Sequence, residues 1–148
     1  MIASAALLSR QRSAKALLMP GPAPRLGMRF AIANLGYTAE EYLISGTARS
    51  FAADPRDGPS AGARPSGAAD YRTRLVVFQP ADPEGFSGTC VIEWLNCHVG
   101  VDAPAQWMRL HRHMARAGMI WVGISAQRGG IHGTEGSGLE RLHPKPDS

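Results

Sequence analysis

Cysteine is scarce: Cys90 and Cys97 are the whole complement of a 148-residue chain. Two thiols build no disulfide framework and match no metal-ligand spacing. One falls in an apolar strand and the other on the loop after it, so joining them would need a sharp fold-back. Two free thiols in a reducing compartment are expected. Acidic residues are missing from the first thirty-nine positions, which hold Arg10, Arg12, Lys15, Arg25 and Arg29. The rest of the chain is nearly balanced, with eleven basic residues against twelve acidic, so the pI of 9.6 belongs mostly to this leader. Aromatics are missing from the leader before Phe30. A nucleic-acid surface interleaves aromatic residues with a basic stripe, so no nucleic-acid partner is expected. No run reaches the ~18 consecutive apolar residues of a membrane-spanning helix. Arg10, Gln11 and Arg12 break the leader's apolar start after a few residues, so it makes no convincing secretory signal and the cytoplasm is the default expectation.

What is present is an ordinary globular mixture, 44% hydrophobic and 19% charged, at a length natural for one domain. Its organising stretch runs from Gly88 to Gln127. An apolar strand (Thr89–Leu95), a polar turn (Asn96–Val101), a helix (Pro104–Ala117) and a second apolar strand (Met119–Ser125) make a β-α-β unit. Both strands are near-continuous apolar runs, the pattern of a parallel sheet with helices on both faces, so the class is α/β. In the helix, Trp107, Leu110, His111, Met114 and Gly118 share one side, and Arg109, Arg112, His113 and Arg116 the other. Pro104 and Gly118 mark its limits, and Asp102 is its expected cap.

Upstream, Met1–Leu35 carries Pro20, Pro22 and Pro24 and no hydrophobic period, so residues 1–35 are expected to be a disordered basic leader before a domain at 36–148. Glu41–Phe51 is a first strand, with Gly46 as a bulge candidate. Residues 54–70, rich in Gly, Pro, Ala and Ser, are expected to form a flexible loop. Tyr71–Gln79 is a second strand, with Tyr71, Thr73, Leu75 and Val77 on one face and Arg72 and Arg74 on the other. After Gln127 no apolar period remains.

YTAEEYLISGTARSF near Tyr37, YRTRLVVFQPADPEGFSGT near Tyr71, VIEWLN followed by VDAPAQW, and WVGISAQR together resemble the start of a family of α/β-hydrolase-domain proteins. The resemblance spans roughly Leu35–Leu142. It implies an incomplete α/β-hydrolase-type sheet, with about four strands and one clear crossover helix where the full fold has more. It also implies a serine nucleophile on a later G-x-S-x-[GAS] strand-to-helix turn, followed by an acid and a histidine. In the strand order it implies, Thr89–Leu95 lies between Met119–Ser125 and a nucleophile strand, leaving one edge open here.

Open α/β sheets place their chemistry at the carboxyl ends of strands. In α/β-hydrolases the loop there donates a backbone N–H to the oxyanion hole, so Asn96, Cys97 and His98 are the oxyanion-loop candidates. The family pattern resembles N-V-S-G-G, whereas this chain has Asn96-Cys97-His98-Val99-Gly100, with one glycine fewer. Cys97 with His98 as its base is disfavoured, because adjacent side chains rarely aim at each other. Gly123-Ile124-Ser125-Ala126-Gln127 starts like a nucleophile elbow but puts Gln127 where a small residue is needed, so Ser125 reads as a strand-end serine. His111 and His113 are two apart and point to different sides of the helix, and no other group suggests a metal ligand set. Gly129–Gly138 lacks the Lys-Ser/Thr of a phosphate loop, so no cofactor is expected. Glu93, inside an apolar strand, needs a partner, with Arg128 or a strand arginine as candidates.

These readings combine into a truncated α/β-hydrolase. Its parent would be a serine ester or acyl hydrolase with a small-molecule substrate, and this chain would be inactive because elbow, acid and histidine lie beyond it. Self-association through the open sheet edge is expected. The alternatives are a small non-enzymatic α/β binding module and a small enzyme acting through Ser125 or Cys97.

Overall fold

The computed structural model describes residues 14–19, 26, 30–52, 64–98, 100–127 and 129–130. The strands are β1 (Ala14–Leu18), β2 (Tyr37–Ala52), β3 (Arg64–Pro80), β4 (Cys90–Trp94) and β5 (Ile120–Ile124). One helix, α1 (Ala105–Arg116), and two 3-10 turns, Ile32–Leu35 and Pro83–Gly85, complete the described elements. The sheet order is β1-β2-β3-β5-β4. β4 and β5 are parallel, with Ile92 opposite Val122, while β3 and β5 are antiparallel, with Val77 opposite Val122. This mixed sheet with one crossover helix fits an incomplete α/β-hydrolase-type fold.

Contacts group the described residues into two compact units, one within Met1–Ala16 and Ile44–Arg72, the other within Leu17–Leu43 and Thr73–Ser148. In the first, Thr47 Oγ1 donates to Asp70 Oδ1 at 2.7 Å and Ser66 Oγ to Ser50 Oγ at 3.1 Å. Residues 47–52 and 66–70 are exposed there, so these positions add little apolar burial.

The second unit holds the core. The chain has only ten aromatic residues, and half of them, Phe30, Tyr37, Phe78, Trp107 and Trp121, gather around the Trp107 indole, concentrating the burial at one point. Phe78 stacks on Trp121 at 4.9 Å and tilts against Trp107 at 4.8 Å. Offset and edge contacts of this kind add about 0.5–1.5 kcal/mol per pair beyond area burial. Leu95, Val76 and Met114 fill the space beside them.

α1 ends as the sequence indicates. Gly118 takes φ +62°, Gly118 N–H donates to Ala115 O and Met119 N–H to Met114 O, the Schellman closure that glycine permits without a Cβ penalty. A Cβ at Gly118 would also stand 2.1 Å from Gly85 O. Tyr37 Oη lies 3.1 Å from Met114 O and 2.8 Å from Met119 O, and its proton serves these carbonyls at the helix end. Burial pushes the Tyr37 phenol above its usual value.

Several expectations are corrected. Asp102 does not cap α1: Pro104 occupies the N-cap with no side-chain bond. The first free amides are held from outside, Gln106 N–H by Glu93 Oε1 at 2.8 Å and Trp107 N–H by Glu93 Oε2 at 3.1 Å. Glu93, buried as expected, accepts these and Trp121 Nε1–H at 2.9 Å, so its partners among the described residues are three N–H donors. Arg128 lies outside the described residues. β4 is covered on one face only: Glu93 is buried and Val91 half-buried, while Cys90, Ile92 and Trp94 are exposed, because β4 is an edge strand and α1 lies on a single side. Leu110, assigned to the core side of α1, is likewise exposed.

Strand limits move as well. β2 begins at Tyr37, and β3 begins at Arg64, inside the stretch read as a loop; positions 53–63 lie outside the described residues. Within 1–35, Ala14–Leu18 forms β1 beside β2, with Met19 N–H donating to Glu41 O at 2.8 Å. Its sequence AKALL has no alternation, so its order comes from the neighbouring strand. Cys90 and Cys97 are both free.

Candidate functional site

Because β4 and β5 are parallel, their carboxyl ends lie side by side, and the segments leaving them meet there. The segment after β4 closes on itself. Asn96 and Ala103 form an antiparallel bridge, Asn96 N–H donating to Ala103 O at 3.2 Å and Ala103 N–H to Asn96 O at 2.7 Å. Asn96 Oδ1 accepts His98 N–H at 2.9 Å, an Asx turn, and Gly100, at φ +77°, donates its N–H to Cys97 O at 2.9 Å. Cys97 Sγ–H donates to Gln127 Oε1 at 2.6 Å, tying the loop to the segment after β5.

The three oxyanion-loop candidates thus differ. The amides of Asn96 and His98 are occupied within the loop, whereas Cys97 N–H has no acceptor among the described residues. The side chains of Asn96 and His98 are exposed and Cys97 is half-buried. The Cys97 thiol is bonded to Gln127 and the His98 backbone N–H to Asn96.

Beneath the loop lies a buried ionic cluster. Arg74 of β3, 2% exposed, donates from Nη2 to Asp102 Oδ2 at 2.7 Å, from Nε to Ser125 Oγ at 3.1 Å and from Nη1 to Glu41 Oε1 at 3.1 Å. Ser125 Oγ–H donates to the same Asp102 Oδ2. Asp102 Oδ1 has no hydrogen-bond partner among the described residues; a Cβ on Gly130 would stand 2.0 Å from it, so this carboxylate packs against a residue without a side chain. Ser125 is fully buried with both its backbone groups engaged, N–H to Arg74 O and C=O to Thr73 Oγ1. A fully buried hydroxyl that donates to Asp102 and accepts from Arg74 Nε is out of a substrate's reach, consistent with its reading as a strand-end residue.

No set of three His, Cys, Asp or Glu side chains among the described residues is placed to hold a metal ion. His111 Nδ1 lies within reach of Trp107 O and Met108 O, and His113 is exposed. No described helix is long and apolar enough to cross a membrane.

A family model described as an alpha/beta hydrolase domain matches residues 10–145. The chain belongs to the alpha/beta hydrolase domain family. No curated protein and no solved structure matches it. In this hydrolase domain the match extends upstream of the resembling motifs and takes in β1. Sequence reasoning missed Arg74, Asp102 and Glu41 as one cluster. Arg74 carried a signal, a cation directly before the apolar run Leu75–Phe78, but its partners lie 28 and 33 residues away and no local pattern links them.

Proposed function

We propose that this chain supplies the sheet, crossover helix and oxyanion loop of a serine ester or acyl hydrolase acting on a small-molecule substrate. The carrying observation is Cys97 N–H, which stands at the carboxyl end of β4 with no acceptor among the described residues while the amides of Asn96 and His98 on either side of it are bonded. When a nucleophile adds to an ester carbonyl, negative charge builds on its oxygen. An oriented N–H about 3 Å away stabilises that charge more than it does the ground-state carbonyl. The hydrolase-domain match supports the reaction class.

The nucleophile elbow, acid and histidine are, in this reading, contributed from outside residues 1–148, and the 148-residue chain is inactive. The state of Ser125 supports this, since its hydroxyl is buried and bonded to Asp102 and Arg74. The test is turnover of a short-chain aryl ester with labelling by a fluorophosphonate probe. Neither should exceed background. Turnover that vanishes in Ser125→Ala would overturn the assignment, and turnover lost in Cys97→Ala would favour a thiol enzyme.

A second reading, a small non-enzymatic α/β module that self-associates or takes a partner through β4, has its own support. Ile92 and Trp94, each 65% exposed, project from the edge strand of the sheet. An edge with exposed apolar residues recruits another chain.

A further inference from the structure

We propose that Asp102 and Arg74 are positioning residues that lock the Asn96–Ala103 loop across the ends of β5 and β3, and so fix the direction of Cys97 N–H. This rests on reading that loop as the oxyanion loop. β4 is the edge strand, with β5 next and β3 beyond it, yet Asp102, on the loop leaving β4, pairs with Arg74 on β3. The bond passes over Ser125 at the end of β5, whose hydroxyl donates to Asp102 and accepts from Arg74 Nε. One guanidinium therefore ties three parts of the chain together, and its fork geometry lets a single side chain bond Asp102, Ser125 and Glu41 at once.

The cluster acts on the loop because Asp102 directly precedes Ala103, which closes the bridge to Asn96. Asp102 holds one leg of the loop to β3, and Cys97 Sγ–H on Gln127 Oε1 holds the other to the segment after β5. The cluster contains two carboxylates and one guanidinium, all largely buried, so loss of Arg74 leaves two carboxylates without compensation, whereas loss of the Asp102 charge leaves Arg74 paired with Glu41 and removes its hold on the loop. Gly130 completes the seat by bringing its backbone, with no side chain, against Asp102 Oδ1.

The test is amide hydrogen exchange followed by NMR on the whole chain. In Asp102→Asn, which keeps the shape and removes the charge, His98 and Gly100 amides should exchange at least about tenfold faster relative to those of Met114 and Val122. A merely structural role would instead accelerate all four by a common factor, and that result would overturn the proposal. Arg74→Lys keeps the charge but loses the fork, and loop rates equal to those of the unaltered chain would overturn it as well. Should both variants unfold, the unaltered protein still decides. Its Arg74 Nε–H should give a resonance protected from exchange, and a proton exchanging like that of a solvated arginine would refute the lock. Ester turnover answers separately for the hydrolase reading and leaves these rates unaffected.

Discussion

Glu93 of β4 accepts the indole N–H of Trp121, on the adjacent strand, at 2.9 Å, while the same carboxylate holds the amides of Gln106 and Trp107. One side chain thereby joins both strands of the β-α-β unit to the start of its helix. The carboxylate stands where a helix N-terminus favours negative charge, and among the described residues it meets three N–H donors. Glu93→Gln turns part of this acceptor into a donor facing N–H groups. It should lower stability by about 1–3 kcal/mol in urea denaturation, with faster exchange at Gln106 and Trp107. A change under about 0.5 kcal/mol would show that the amides find other acceptors.

Tyr37→Phe removes the donor shared by Met114 O and Met119 O, and a loss of about 1–3 kcal/mol is expected. The pH dependence carries a second signature. Burial holds the Tyr37 phenol above its ordinary value of 10.0, so as pH rises past that point the unfolded chain releases a proton that the folded chain retains. Stability from this group is therefore intact below pH 10 and declines above it. Denaturation midpoints from about pH 9 to 11 should fall more steeply for the unaltered protein than for Tyr37→Phe. Parallel slopes would count against a buried phenol.

Gly118→Ala should destabilise by at least about 2 kcal/mol, since it combines a left-handed φ with a Cβ driven onto Gly85 O. Gly118→Asn separates the two effects, because asparagine tolerates the backbone conformation yet meets the same oxygen. Thermal melts in which Asn restores the stability of glycine would show that the contact with the Pro83–Gly85 turn yields.

The outer face of β4 predicts association. Size-exclusion chromatography with light scattering at tens of micromolar should find species larger than one chain, and Ile92→Lys should shift them toward the monomer by placing charge on an edge strand. A stable monomer at these concentrations, unchanged by the substitution, would remove self-association from the account.

Local signals carried the centre of this fold. The strand, helix and strand between Thr89 and Ser125, and the glycine stop at Gly118, follow from apolar runs and helix period within forty residues of sequence. Glu93 was legible as a buried carboxylate needing partners, but not the kind of partner, because its donors come from positions 13, 14 and 28 residues away. β1 and the first part of β3 were illegible because Ala14–Leu18 does not alternate and Arg64–Asp70 is rich in small residues and carries a proline. Asp102 was misread for a physical reason. An aspartate two residues before a helix-starting Pro104 has the composition of a cap, and only the sheet order shows that Arg74 reaches it first. The loop's place at a strand end was readable, whereas the bonding of the Asn96 and His98 amides on either side of Cys97 depends on the Asn96–Ala103 bridge and the Asn96 side chain.

The strand order also sets a schedule for biosynthesis. β5 leaves the ribosome after β3 and β4, yet its place is between them, with Leu75 opposite Ile124 and Cys90 opposite Ile120. Until β5 has emerged, the Leu75–Phe78 edge of β3 and the inner edge of β4 are both unpaired, and each is the nearest template for the other. A direct β3–β4 pairing formed in that interval would have to be undone before β5 enters. Non-local pairings form slowly and expose apolar edges while they wait. Vectorial synthesis therefore leaves a nascent chain whose aggregation hazard is highest just before Ile120–Ile124 appears, the interval in which a holding chaperone would have most to protect.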